Sequence, residues 1–421
     1  MNSAPLPPSM KMVVEQVAAA LPQFPRLPKI FADTFANTFS TTLKPHADGS
    51  VFVITGDIPA MWLRDSAAQV RVYLPLAKSD LQFAALVAGV VKRQAQCVLI
   101  DPYANAFNEE PNGHCHFRDE TDMEPWIWER KYELDSHCAP LLLAHDLWAA
   151  TGQTDHLDGN FFSAAKVIVE TITREQRHGN SAYRFQRFNC PASDTLSHGG
   201  LGSPVGYTGM SWSGFRPSDD SCRYHYLVPS NMMAVVALQK LAALPLGDEQ
   251  LKPRALALAG EIRSGIENHG KVKHPAFGDI YAYEVDGLGN FNLMDDANVP
   301  SLLAMPYMSY CKVDDPTYQA TRRFVLSENN PYFFEGKAAR GIGSSHTPDQ
   351  YIWPIALCMQ GLTATSRDEQ LALLEILLAT DAATGLMHES FHKDDPTQFT
   401  RPWFAWANSL FAEFVMAVAQ A

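Results

Sequence analysis

The chain has 421 residues, 46% of them hydrophobic and 19% charged, and a formal net charge of -13. This is a globular composition, and its negative balance excludes a nucleic-acid partner, whose phosphate backbone needs a concentrated positive field. No apolar run reaches the ~18 residues of a membrane span, so no membrane partner is expected.

The first residues hold no apolar core of signal-peptide length. The seven cysteines are odd in number and widely spaced. A reduced, cytoplasmic protein is therefore expected rather than a disulfide scaffold.

In chain order, one pattern recurs: a polar or acidic cluster, then a proline, then an apolar run of helical length. Thr55-Gly-Asp-Ile-Pro-Ala-Met-Trp-Leu-Arg-Asp65 leads into Ser66 to Leu76, and Tyr132-Glu-Leu-Asp-Ser-His-Cys-Ala-Pro140 leads into Leu141 to Ala150. Gly214-Phe-Arg-Pro-Ser-Asp-Asp-Ser-Cys222 and the following Pro229-Ser230 precede Asn231 to Leu244. Met294-Asp-Asp-Ala-Asn-Val-Pro-Ser301 precedes a fourth run from Leu302, Ser344-Ser-His-Thr-Pro-Asp349 precedes Gln350 to Leu362, and Thr400-Arg-Pro402 precedes Trp403 to Ala419. Proline near a first turn is a helix-start signal.

Between these runs lie more charged, amphipathic ones: Asp80 to Leu99, Ser163 to Arg174, Gln250 to Asn268, Asp315 to Leu326 and Arg367 to Thr380, with another within Met10 to Phe39. In Gln250 to Asn268, Leu251, Ala255, Leu258 and Ile262 recur at helical steps while charges take the other faces. Strand signal is confined to short pieces such as Val51 to Ile54 and Ile280 to Val285. Apolar helices alternating with amphipathic ones predict an all-α, (α/α)6 barrel forming a single domain over residues 1–421. Each inner helix would then present its polar start at one end of the barrel, where free N–H groups favour carboxylates and polar ligands. An α-solenoid with the clusters serving only as caps is the alternative.

The clusters carry the chemistry. Trp62, Arg64 and Asp65 read as a sugar subsite, the indole for the apolar face of a pyranose and the charged pair for vicinal hydroxyls; the plain alternative is a helix start with a buried ion pair. Asp219 and Asp220, adjacent and flanked by Arg216 and Arg223, point in different directions, so an acid and a base acting on one bond require a partner from elsewhere. Glu389 in Leu386-Met-His-Glu-Ser-Phe-His392 is that candidate. Arg216 and His346, the latter at the start of the fifth inner run, are candidates for substrate contacts. His114, Cys115 and His116 lack a second ligand pair, and no metal or other cofactor is expected. The aromatics Trp403, Phe404, Trp406 and Phe411 read as core. No glycine-rich phosphate loop or nucleophile elbow occurs.

The stretches at 55–66, 214–222 and 387–391 strongly resemble those of glycoside hydrolase family 125, the exo-acting α-1,6-mannosidases, with a likeness running from about Ile54 to the C-terminus. The resemblance implies an (α/α)6 barrel, an inverting mechanism, no metal, and an α-mannoside oligosaccharide as substrate. It also implies an aspartate of the Arg216-Pro-Ser-Asp-Asp220 stretch as general acid, with Asp220 preferred over Asp219, Glu389 as general base, and Trp62, Arg64 and Asp65 gripping the terminal mannose. A lyase or epimerase on the same barrel, or a non-catalytic glycan-binding barrel, are the rival readings.

Overall fold

The computed structural model describes residues 6–420. Five of the six expected inner helices form, at Leu63–Arg71, Leu134–Thr151, Val228–Ala243, Pro354–Leu362 and Ala405–Gln420. The outer layer consists of Pro8–Ala20, Leu27–Thr41, Leu81–Ile100, Gly159–Glu175, Leu251–His269, Pro316–Val325 and Arg367–Ala379. Leu63–Arg71 packs on Leu134–Thr151, which packs on Val228–Ala243, and Ala405–Gln420 closes the ring by packing on both Pro354–Leu362 and Leu63–Arg71.

The fourth inner run departs from expectation. Residues 302–309 form consecutive turns, although Leu302, Leu303, Ala304 and Met305 are buried like their helical counterparts. Pro306 cannot donate a backbone N–H, and Ser309 adopts a left-handed φ of 65°, so a helix started at Leu302 cannot extend. Asp295 satisfies the first two amides, accepting from Leu302 N at 2.8 Å and Leu303 N at 2.9 Å.

The two layers start their helices differently. Four outer helices have N-caps whose side chains accept first-turn amides, from Asp80, Asp158, Asp315 and Ser366. Among the described residues, the inner helices starting at Leu63, Leu134, Val228 and Pro354 have no such side-chain cap. Three of them follow directly from a short strand: Met61–Trp62, Tyr226–Leu227 and Tyr351–Ile352 each belong to a three-stranded antiparallel sheet. The sheets hold the inner starts at one end of the barrel, where neighbouring segments claim the first amides: Leu63 N donates to Asn105 O, Leu134 N to Ser213 Oγ and Val228 N to Tyr283 O.

Leu81–Ile100 is long and apolar enough to cross a membrane by composition, against the sequence expectation, but 61% of it is buried inside the fold. Arg93 on its buried face stacks over Phe52 and Trp126. It packs as a core helix. All seven cysteines are free thiols.

Candidate active site

At the sheet-bearing end lies a cavity of about 390 Å³ bounded by Trp62, Arg64, Asp65, Asp219, His346 and Glu389, with Arg401, Phe404 and Trp406 completing one wall. A second, more apolar cavity of about 740 Å³ lies beyond Arg64 and Trp406, toward the other end. Its polar groups are already paired: Asp146 bonds Arg71 and Lys240. The smaller cavity is lined by three carboxyls, Asp65, Asp219 and Glu389, so the chemistry belongs there.

The two adjacent aspartates are separated by a hairpin. Phe215 and Ser221 bridge as antiparallel partners, Arg216 N donates to Asp220 O at 2.7 Å, and Asp219 N donates to Arg216 O at 3.0 Å. Pro217 presets the turn, and Asp219 closes it with a left-handed φ of 70°. Aspartate tolerates that conformation better than most residues, though at some strain. The result is that Asp219 lines the cavity, whereas Asp220 does not and sits behind His346, 2% exposed, accepting from Ser345 Oγ and lying 3.2 Å from His346 Nδ1. This geometry runs against the preference for Asp220 as the acid.

Asp220 and His346 polarise each other. Burial opposes ionisation of Asp220, but the His346 hydrogen bond and charge and the Ser345 hydroxyl outweigh it, holding the carboxyl below its usual range. Burial likewise opposes charge on His346, and Asp220, then Asp219 and Glu389, push it up to about 9. At neutral pH His346 is a cation on the cavity wall. The raised histidine stabilises the fold fully below its unfolded pKa of about 6.5, and that contribution is lost as pH rises through about 9. The margin in melting temperature of the native protein over His346→Gln is expected to shrink steadily from pH 6.5 to 9; a margin constant across that window would refute the pairing.

Arg64 is a hub rather than a free ligand for sugar. Its Nη1 donates to Glu133 Oε2 at 2.6 Å and Asp135 Oδ2 at 3.0 Å, Nη2 lies 3.3 Å from Asp65, and the guanidinium sits over Trp406 at 5.7 Å. Burial raises Asp65 and Asp135 above the ordinary carboxylate range, with Arg64 offsetting it. Asp65 Oδ2 is buried with no partner beyond the ion pair to Arg64 Nη2. Breaking such a buried cluster from one side costs about 3–5 kcal/mol. Arg64→Met is expected to lose that much in denaturant unfolding, most steeply above the pH at which the stranded carboxyls ionise.

Trp62 is buried in the cavity wall beside Trp128. Arg216, expected at the substrate, instead braces the hairpin from behind: Nε donates to Glu284 at 2.6 Å and the guanidinium lies over Tyr283. Glu389 is 6% exposed and immediately precedes the strand Ser390–His392, which pairs with Tyr351–Ile352 at the mouth of the fifth inner helix. His388 stacks on Phe399 at 3.7 Å, fixing one side of the peptide. Ser390–His392 continues into a hairpin with Asp395–Thr400.

Arg401 was missed as a site residue, although it lies in the last of the recurring polar clusters. Its Nη1 is 3.4 Å from Glu389 Oε1 and its Nε donates to Asp57 at 3.0 Å. Phe404 and Trp406, read as core, are buried and also wall the cavity. His114, Cys115 and His116 lie on a largely exposed loop, His116 edge-on to Trp128. Among the described residues, no three His, Cys, Asp or Glu side chains are grouped to hold a metal.

A double-layered helical barrel whose mouth holds a walled pocket lined by carboxyls from separate segments is suited to a glycoside hydrolase, which needs two such groups about one bond. The family profile described as metal-independent alpha-mannosidase (GH125) matches residues 25–416, and the chain belongs to that family. A solved structure from Streptococcus pneumoniae, described as a metal-independent alpha mannosidase in a non-productive complex with α-1,6-mannobiose, is 51% identical with a TM-score of 0.95, covering 98% of each chain. The meiotically up-regulated gene 157 protein of Schizosaccharomyces pombe is 39% identical over 97% of this chain and 85% of its own length. A wild-type glycosidase structure, 14% identical over 99% of each chain with a TM-score of 0.54, shares the fold.

Proposed function

We propose that the protein is an exo-acting, inverting α-mannosidase that releases terminal α-1,6-linked mannose, with Asp219 as general acid and Glu389 as general base. The observation that carries the reading is that these two carboxyls, remote in sequence, border one small cavity whose inner wall is closed by Arg64 and Trp406. A walled pocket accepts a chain end, and the mannobiose complex of the Streptococcus pneumoniae relative supports the linkage.

In this scheme Asp219 protonates the glycosidic oxygen as the bond to the anomeric carbon breaks. Glu389 takes a proton from a water attacking the opposite face of that carbon, and the configuration inverts. Arg401 keeps Glu389 oriented. His346, cationic at neutral pH, cannot serve as the abstracting base that a lyase or epimerase needs. Among the described residues that line the cavity there is also no tyrosine for that role. NMR of the sugar first released from α-1,6-mannobiose should show β-mannose. Early α-mannose would mean retention, and an unsaturated or merely epimerised product would revive the rival readings.

A further inference from the structure

A general acid must carry a proton when substrate arrives, yet Asp219 sits among cations. Lys131 Nζ donates to its backbone oxygen at 2.8 Å. Burial opposes ionisation of Asp219, but the charges of Lys131, Arg64 and His346 outweigh it and hold the carboxyl below its ordinary range. Alone in that field it would be a carboxylate at neutral pH, unable to protonate a leaving group. Its immediate neighbour resolves this.

Glu133 stands at the start of the second inner helix, its side chain fully enclosed. One oxygen, Oε2, is held by Arg64 at 2.6 Å and by Ser136 Oγ at 3.0 Å. The other, Oε1, turns toward Asp219: the Asn105 Nδ2 amide lies 3.2 Å from Glu133 Oε1 and 3.2 Å from Asp219 Oδ1. One amide thus holds both carboxyls side by side, and a hydrogen bond between two carboxyls requires a proton. Asn105 is itself fixed, its Oδ1 accepting from Lys131 N at 3.1 Å.

We propose that Glu133 is a positioning residue that shares a single proton with Asp219 where the two carboxyls meet at the Asn105 amide, keeping the acid loaded at neutral pH. This rests on Asp219 being the general acid. Like charges in one buried site cannot both ionise readily, so the pair titrates as a unit and retains one proton. Burial is the largest influence on Glu133, Arg64 offsets part of it, and the Asp219 and Asp135 charges add to it, so Glu133 is raised well above the usual range.

The surrounding charges fit a one-proton pair. Arg64 and Asp65 face it from the first inner helix, Glu129 from the end of the strand Ile127–Glu129 and Lys131 from just after it, Asp135 from its own helix, and Cys222, a buried neutral thiol, from beyond the hairpin. Arg187 ties Glu129 at 3.0 Å, and His346 faces Asp219. In turnover the pair's proton goes to the glycosidic oxygen, which also takes the electrons of the breaking bond. Both carboxyls are left ionised against Arg64 and Lys131. The water's proton goes to Glu389 and then to solvent, and the pair recovers one proton from solvent.

The test is Glu133→Gln in the full-length enzyme, its fold checked by circular dichroism and melting. Glutamine keeps the shape but cannot take up the proton that the pair shares, leaving Asp219 alone among its cations. Expected is a fall of about 10²-fold in kcat/KM on α-1,6-mannobiose at pH 7, within the range of general-acid contributions, and displacement of the alkaline limb of the pH profile to lower pH. On dinitrophenyl α-mannoside, whose leaving group needs no proton, the loss should be under about tenfold. Equal losses on both substrates with an unmoved limb would mean a mere structural brace and overturn the proposal.

Should Glu133→Gln fail to fold, infrared spectra at pH 7 decide. The difference between native and Asp219→Asn spectra should show one protonated-carboxyl band lost or shifted, as Glu133 exchanges its acidic partner for an amide; a difference spectrum with no protonated-carboxyl feature would overturn the sharing. The underlying reading fails separately, if Asp219→Asn retains native kcat/KM on mannobiose.

Discussion

Glu389→Gln is expected to lower kcat on α-1,6-mannobiose by about 10³-fold, toward the upper part of the range for a positioned general base, while leaving the melting temperature close to native. The amide occupies the same volume in the same 6%-exposed niche, and its oxygen can still accept from Arg401, so the packing is kept. What is lost is the lone pair that takes the proton from water, and an amide has no comparable basicity. Azide attacks without needing deprotonation, so added azide should restore turnover and yield β-mannosyl azide. Residual activity within tenfold of native, or rescue giving the α-azide, would remove Glu389 from the base role.

The second large effect separates two adjacent residues. Asp219→Asn should cost about 10²–10⁴-fold on mannobiose and little on dinitrophenyl α-mannoside, because only the natural leaving group needs a proton. Asp220→Asn should instead act through His346 and Ser345, the groups its carboxylate holds. Its expected signature is a lower melting temperature and a modest loss, about tenfold, shared by both substrates. A buried charged partner left unpaired destabilises regardless of the leaving group. If Asp220→Asn shows the leaving-group selectivity and Asp219→Asn does not, the assignment reverses.

The contrast between these neighbours shows where reading a sequence stops. Charge, aromatic content and proline placement mark Gly214 to Cys222 as a site stretch, but the side-chain direction at 219 depends on a left-handed backbone angle closing a three-residue turn. Neither aspartate announces that angle. Arg216 illustrates the same limit from the other side. An arginine beside two aspartates invites a role at the substrate, and it was claimed instead by Glu284, which reaches it from another sheet. Glu133 and Asn105 carried no separate signal, since an acid at a helix start is an ordinary cap until its neighbours are known.

The fourth inner run shows a further kind of miss. Its apolar residues obey the burial pattern, yet Pro306 forbids the helix, and turns deliver the same side chains to the core. Phe404 and Trp406 belong to both core and cavity wall, which aromatic spacing alone cannot distinguish because one ring face can pack while another bounds a void.

What the sequence by itself determined was the alternation of inner and outer helices and the polar starts at one end, and it singled out Asp219, Asp220 and Glu389 as candidates. Those follow from local physics: helical period, proline geometry and the chemistry of short motifs. The tertiary structure alone decided which aspartate faces the cavity, that Arg401 touches Glu389, and that Arg64, Glu133 and Asn105 form the buried network behind the proposed acid. Those outcomes depend on contacts between residues far apart in the chain. In a desolvated interior, a charge takes its state from whichever partner the fold brings within reach.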